Sequence, residues 1–193
     1  MSIAMPENCK VFYINDFIDG SLSAALLHFA KNTDLWYTAS KNKHPWWKGR
    51  SISHRVMPNF LQHALREVSN KLQHEIMTRH GLTKMIYPDT FSLSRWYPGM
   101  DQIPHSDNMQ DTKSAPNHEH RQYGAVIYLN DDDYTGGETF YENFNFMIRP
   151  VANTVVCHPA DVLHRHGVNT VYGNIRYTLS TFWTFDTSRN TFK

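Results

Sequence analysis

Cysteine is nearly absent from this 193-residue chain, which has only Cys9 and Cys157. Two thiols cannot make a disulfide framework or a four-cysteine zinc site, and they fit a reducing compartment. Charge of one sign is missing as well. Nineteen Lys and Arg against 18 Asp and Glu leave a formal net charge of +1, with no long Lys/Arg run. Recruitment of nucleic acid by bulk charge is therefore not expected. No apolar run approaches the roughly 18 residues of a membrane span, and the start, MSIAMPENCK, lacks the basic region and long apolar core of an export signal. These absences lead us to expect a soluble protein that is cytoplasmic or otherwise intracellular, with no membrane partner. Metal chemistry, if any, falls to the twelve histidines.

What is present suits one core. A chain that is 40% hydrophobic and 13% aromatic is read as a single domain, 1–193. Residues 1–83 look like a helical support region. "SLSAALLHFAKN" carries Leu22, Ala25, Leu26 and Phe29 at helical spacing, and "NFLQHALREVSNKLQHEIMTRHG" puts Leu61, Leu65, Val68, Leu72 and Ile76 on one stripe. Asn59 is the expected N-cap of the second helix, and Gly81 its C-terminal stop. His63, His74 and His80 are read as surface or edge residues.

From residue 84 to 186 the pattern changes to short apolar or alternating runs: "FSLSRWY", "YGAVIYLN", "ETFY", "FMIRP", "NTVVCH", "VLHRHGV" and "RYTLSTFWTF". Seven or eight strands with no helix between them imply an antiparallel sandwich or barrel. The expected fold is mainly β, two facing sheets with the N-terminal helices backing one of them.

"QIPHSDN" holds the one His-x-Asp in the chain, His105 and Asp107. Such a triplet by itself carries little weight. Two residues apart on a strand, however, the pair shares a face, which suits two ligands of a two-His-one-carboxylate iron site. The third ligand should be a distant His. His164 and His166 are both available, again two apart, and spacing does not choose between them. Further along, Arg176 opens an alternating strand in which Thr178, Ser180 and Phe182 share its face. A buried Arg needs an anion, and the far carboxylate of a small diacid would accept its two-pronged donation.

Three stretches, "YPGMDQIPHSD" (97–107), "YLNDDDYTGGETFY" (128–141) and "HGVNTVYGNIRYTLSTFW" (166–183), resemble the iron(II)- and 2-oxoglutarate-dependent dioxygenases, within them the prolyl 4-hydroxylase-like group. The resemblance spans about residues 90–186. It selects His166, ten residues before Arg176, as the distal metal ligand and leaves His164 out. It implies a double-stranded β-helix (jelly-roll), with Fe(II), 2-oxoglutarate and O2 in use and ascorbate as a possible reductant. The implied reaction is hydroxylation of an aliphatic C–H bond with release of succinate and CO2. Tyr97 and Tyr128 fall where that group keeps tyrosines on the co-substrate, and Tyr128 would join Arg176 at the far carboxylate. Ser180 is a further candidate there. The sequence departs from the group at Asn169-Thr170, where Pro is frequent, and at Gly124, where Thr is common.

The substrate class implied is a prolyl peptide or a small amino-acid-like molecule. A nucleic-acid demethylase of the same superfamily would keep a second Arg six residues after the first, where this chain has Phe182. A non-catalytic binding module of the same fold would have lost a ligand or the Arg. Trp46 and Trp47, within "NKHPWWKGR" (42–50), are candidate lid residues or a plug for the barrel end, and 108–120 reads as a loop over the substrate. His118 and His120 in that loop are expected to be surface histidines.

Overall fold

The structure is a computed structural model that describes residues 6, 8–38, 47–108 and 118–193. The elements run in chain order as β1 (Phe12–Ile14), α1 (Gly20–Asn32), α2 (Leu35–Thr38), β2 (Ser51–Ser53), α3 (Asn59–Arg79), β3 (Tyr87–Trp96) and β4 (Gln102–His105). They continue as β5 (Arg121–Tyr128), β6 (Tyr134–Gly136), β7 (Thr139–Tyr141), β8 (Phe146–Ile148), β9 (Val155–Pro159), β10 (His166–Val168), β11 (Val171–Gly173) and β12 (Arg176–Thr184). A six-stranded sheet in the order β1-β9-β5-β12-β3-β2 faces a four-stranded sheet, β4-β10-β7-β8, with a small β11-β6 pair beside them. Every pairing is antiparallel. This is the expected jelly-roll. Among the described residues no helix is long and apolar enough to cross a membrane.

The two faces of the large sheet carry different residue types. Its outer face presents Phe91, Leu93, Ala125, Ile127, Leu179 and Trp183 to the stripe Leu61, Leu65, Leu72 and Ile76 of α3 and to Leu26 of α1, all in one buried cluster. Each such leucine contributes about 1.5–3 kcal/mol by leaving water, and the period of 3.6 in α3 brings the stripe onto the sheet. The inner face carries Ser92, Ser94, Thr178 and Ser180, which line a cavity between the sheets. A polar inner wall keeps that space from collapsing into core.

Two local expectations change. The N-cap of α3 is Pro58, whose carbonyl accepts from Leu61 and Gln62 N–H, and no side chain caps the end; proline's fixed φ is already suited to a helix start. The other end stops as read. Gly81 sits at φ +62, and the N–H groups of Gly81 and Leu82 return to the Thr78 and Met77 carbonyls, a Schellman closure that needs a left-handed residue. The second change concerns the support region, which is not helical throughout. β1 joins β9 and β2 joins β3 at the edges of the large sheet, in three-residue strands too short to show a period.

Candidate metal centre and co-substrate cavity

β4 and β10 are neighbours in the small sheet, with His105 opposite His166. That register sets the two imidazoles side by side, ring centroids 4.7 Å apart. Asp107 follows in the turn after β4, which is tied down by the Asn108 N–H to the Ala160 carbonyl at 3.1 Å. One ligand atom from each of His105, Asp107 and His166 lies within 4.8 Å of the other two. Asp107 Oδ1 is 3.6 Å from His105 Nε2 and 3.9 Å from His166 Nε2. Bonds of about 2.0–2.2 Å to a central ion would span such separations with small adjustments.

The outer ring nitrogens support the same reading. His105 Nδ1 faces the Ile103 carbonyl at 3.2 Å and His166 Nδ1 the His164 carbonyl at 3.0 Å. A carbonyl only accepts, so each Nδ1 carries the proton and each Nε2 presents a lone pair to the centre. Burial pushes the pKa of His166 down to about 3, reinforced by the neighbouring His158, which keeps the ring neutral. Burial alone would raise the Asp107 carboxyl, but its surroundings hold it well below the ordinary range, and the hydrogen bond from His158 acts in that direction. Two neutral imidazoles and one carboxylate on one side of a cavity are a donor set for a divalent iron with open positions opposite.

The cavity encloses about 480 Å³. Arg176 reaches into it from β12 at 1% exposure, its guanidinium carbon 5.1 Å from the Tyr128 ring and 5.3 Å from the Trp96 indole. Arg176 Nε has no hydrogen-bond partner among the described residues. A buried guanidinium with an unfilled donor calls for an anion. Tyr128 lies beside Arg176, with its Oη 2.7 Å from Thr139 Oγ1, but Tyr128 itself is not among the cavity-lining residues. Ser180 lines the cavity, and so does Trp47, packed edge-on against Trp96 at 5.7 Å.

Other expected residues fall elsewhere. Tyr97 is not among the cavity-lining residues. Trp96 is the residue opposite Arg176 in the β12–β3 ladder, so its neighbour Tyr97 leaves on the other side, under the Arg95 guanidinium at 5.0 Å. His164 does not share a face with His166. It lies in a short 3-10 turn, where the period-2 rule fails, with Nδ1 2.7 Å from Asp161 Oδ1 and the Lys10 N–H donating to Nε2. His80, read as a surface or edge residue, is half-buried between Phe12 and Tyr123. His118 and His120 are half-buried too. The turn before β5 folds back, so His118 lines the cavity while His120 meets Asp89 Oδ2 at 3.2 Å. Trp46 and residues 109–117 of the expected lid lie outside the described residues.

Four cavity residues were not singled out as site candidates in the sequence, although Thr178 was read there as sharing the Arg176 face. Thr178, two places from Arg176, has a buried hydroxyl without a partner among the described residues. Thr139, on β7, lines the same cavity. Arg121 lies over the Phe182 ring at 3.7 Å, its Nε 3.4 Å from Asp89 Oδ2. His158 contacts Asp107 Oδ2 at 3.0 Å. Its only sequence signal was a polar residue inside the apolar run "VVCHP".

Comparison with known proteins agrees with this geometry. A family model described as the 2OG-Fe(II) oxygenase superfamily matches residues 91–184. No curated protein matches the sequence. Among solved structures, the chain is similar to the viral collagen prolyl hydroxylase of Paramecium Bursaria Chlorella virus-1 in its 2OG complex, at 16% identity over 92% of this chain and 97% of that one, TM-score 0.63. It is similar to a Pseudomonas putida prolyl-4-hydroxylase at 17% identity, covering 92% and 93%, TM-score 0.64. A Trichoplax adhaerens prolyl hydroxylase, in complex with a hypoxia inducible factor oxygen degradation domain peptide fragment, gives 18% identity over 94% and 86%, TM-score 0.68. At these identities the likeness is one of fold.

Proposed function

We propose, for a chain whose residues 91–184 belong to the 2OG-Fe(II) oxygenase superfamily, that it acts as a single domain, 1–193, and hydroxylates an aliphatic C–H bond of a prolyl residue in a peptide or of a free amino acid. The observation that carries this reading is the convergence of His105, Asp107 and His166 on one point of the cavity into which Arg176 projects. His105 Nε2, Asp107 Oδ1 and His166 Nε2 would hold Fe(II). Arg176 would take the far carboxylate of 2-oxoglutarate, with Tyr128 and Thr139 beside it and Thr178 offering its unfilled hydroxyl. When bound, iron and 2-oxoglutarate supply the oxidising chemistry with O2, which yields hydroxylated product, succinate and CO2.

The chain's own residues bind, orient and exclude water. Trp96 and Trp47 wall the Arg176 end, where low dielectric strengthens the carboxylate contact. Arg121, Phe182 and His118 lie along the same cavity from the β5 side and are the walls a substrate would meet. The prolyl reading is supported by the fold shared with three structures named as prolyl hydroxylases, one of them with a peptide bound. The test is to supply Fe(II), 2-oxoglutarate and O2 and screen proline-containing peptides beside free amino acids, reading succinate release together with a one-oxygen mass gain. Succinate formation stimulated by no member of either class, under conditions in which the protein binds iron, would remove this substrate class.

A further inference from the structure

Asp107 offers the metal position only one of its oxygens. Oδ1 faces His105 and His166, while Oδ2 turns away and meets His158 Nε2 at 3.0 Å. His158 comes from β9 in the large sheet and is 1% exposed. Its other ring nitrogen, Nδ1, is 2.8 Å from Tyr141 Oη. A carboxylate only accepts, so Nε2 carries the ring proton, Nδ1 is the acceptor, and the Tyr141 hydroxyl donates to it. Tyr141 belongs to β7 and pairs directly with His166. The chain Tyr141–His158–Asp107 therefore bridges the two sheets and ends on the far oxygen of a metal-facing carboxylate.

Gly124 makes that contact possible. It stands opposite His158 in the β5–β9 ladder. A Cβ at this position would overlap Asp107 Oδ2 and stand 2.8 Å from His158 Nε2. Any side chain here would drive the carboxylate off His158. Glycine is required by close approach, not by a left-handed turn.

We propose that His158 is a positioning residue that holds Asp107 as a one-oxygen metal ligand, with Tyr141 fixing its tautomer and Gly124 leaving the space. The proposal rests on the reading of Asp107 as a ligand. Its physical consequence is steric. A facial site needs three open positions, and a carboxylate free to swing could offer both oxygens and fill one of them. With Oδ2 hydrogen-bonded, only Oδ1 is available. His158 itself is not a ligand, because its one N–H is committed to Asp107 and its lone pair faces Tyr141.

The experiment is a titration of the metal-free full chain with Co(II), which reads affinity and, through the visible ligand-field spectrum, coordination. Wild type, His158→Phe, His158→Gln and Tyr141→Phe are compared, with Asp107→Ala as the control. Partners of ligands typically carry a 10- to 100-fold effect on metal affinity, so His158→Phe should weaken Co(II) binding by about that factor and alter the spectrum. His158→Gln, whose amide N–H can reach Oδ2, should recover most of the loss and the wild-type spectrum. Wild-type affinity and spectrum in His158→Phe would overturn the proposal while leaving the metal centre intact. Should His158→Phe not fold, Tyr141→Phe decides. It should weaken binding by a smaller factor at unchanged far-UV circular dichroism, and an unchanged titration overturns the proposal. Wild-type protein that takes up no Co(II), or does so equally well as Asp107→Ala, would overturn the metal-centre reading and this proposal with it.

Discussion

Arg176 and Trp96 stand opposite one another in the β12–β3 ladder, and both line the cavity, the guanidinium carbon 5.3 Å from the indole ring. The indole covers the cation's face, so its N–H groups are left to bond in plane. Arg176→Lys keeps the charge but loses the two-pronged geometry. Loss of one charge-assisted hydrogen bond costs about 1.5–3 kcal/mol, or roughly 10- to 150-fold in affinity. Binding of 2-oxoglutarate to the Arg176→Lys protein, measured by calorimetry, should weaken by that factor with iron affinity unchanged. Unaltered 2-oxoglutarate affinity would remove Arg176 from the co-substrate site.

Thr178 is closer to Arg176 along β12 than Ser180, and its hydroxyl is buried without a partner among the described residues. A carboxylate at Arg176 would satisfy it. Thr178→Val should therefore raise the KM for 2-oxoglutarate about 5- to 15-fold, as expected for one neutral hydrogen bond of about 1–1.5 kcal/mol. Ser180→Ala should change it less, and the reverse order would place the carboxylate further along the strand.

Trp47 closes one wall of the cavity against Trp96 and lies 5.1 Å from the Arg50 guanidinium carbon. Removing it admits water to a site whose chemistry needs shielding. Trp47→Ala should raise the ratio of 2-oxoglutarate consumed to product formed while iron content stays constant. A fully coupled variant with normal substrate affinity would make Trp47 a packing residue only.

His80 links α3 to the large sheet between Phe12 and Tyr123, and its Nε2 is buried without a partner among the described residues. Burial first, then the nearby Lys10, pushes its pKa down from 6.5 to about 4. The folded protein holds this ring neutral, whereas the unfolded chain takes up the proton near pH 6.5. The unfolded state thus binds more protons between about pH 6.5 and 4, and stability falls as pH drops through that window. His118, also pushed down to about 4 chiefly by burial, titrates in the same range. His80→Phe should flatten the loss of stability on acidification without abolishing it. Urea midpoints measured at about pH 7 and about pH 4.5 check this, and an unchanged difference between the two would exclude His80 as a contributor.

Period and register explain which parts of the molecule were legible in sequence. The α3 stripe and the alternation of Arg176, Thr178, Ser180 and Phe182 repeat over enough residues to identify their faces, and both faces are as read. Parity failed where the chain leaves a regular element, as at His164 in its 3-10 turn, whereas Tyr97 was suggested by the resemblance and the alternation of β3 turns it away from the face that carries Trp96. The edge strands β1 and β2 are three residues each, below the length at which a period exists. His158 could not be placed from local pattern, since its partners Asp107 and Tyr141 are 51 and 17 residues away. Gly124 was visible as a departure from the resembled group, but its reason is the carboxylate of another strand's turn.

Iron binding by His166 but not His164 is the point on which the metal centre stands, since His164 is held by Asp161 and the Lys10 N–H and His166 faces Asp107. Equilibrium dialysis of Fe(II) under anaerobic conditions against wild type, His164→Ala and His166→Ala measures this directly, with a thermal melt to confirm that each is folded. Wild type and His164→Ala should each retain a single tightly bound iron, and His166→Ala should lose it. Iron kept by folded His166→Ala and lost by folded His164→Ala would contradict the assignment of the centre to His105, Asp107 and His166.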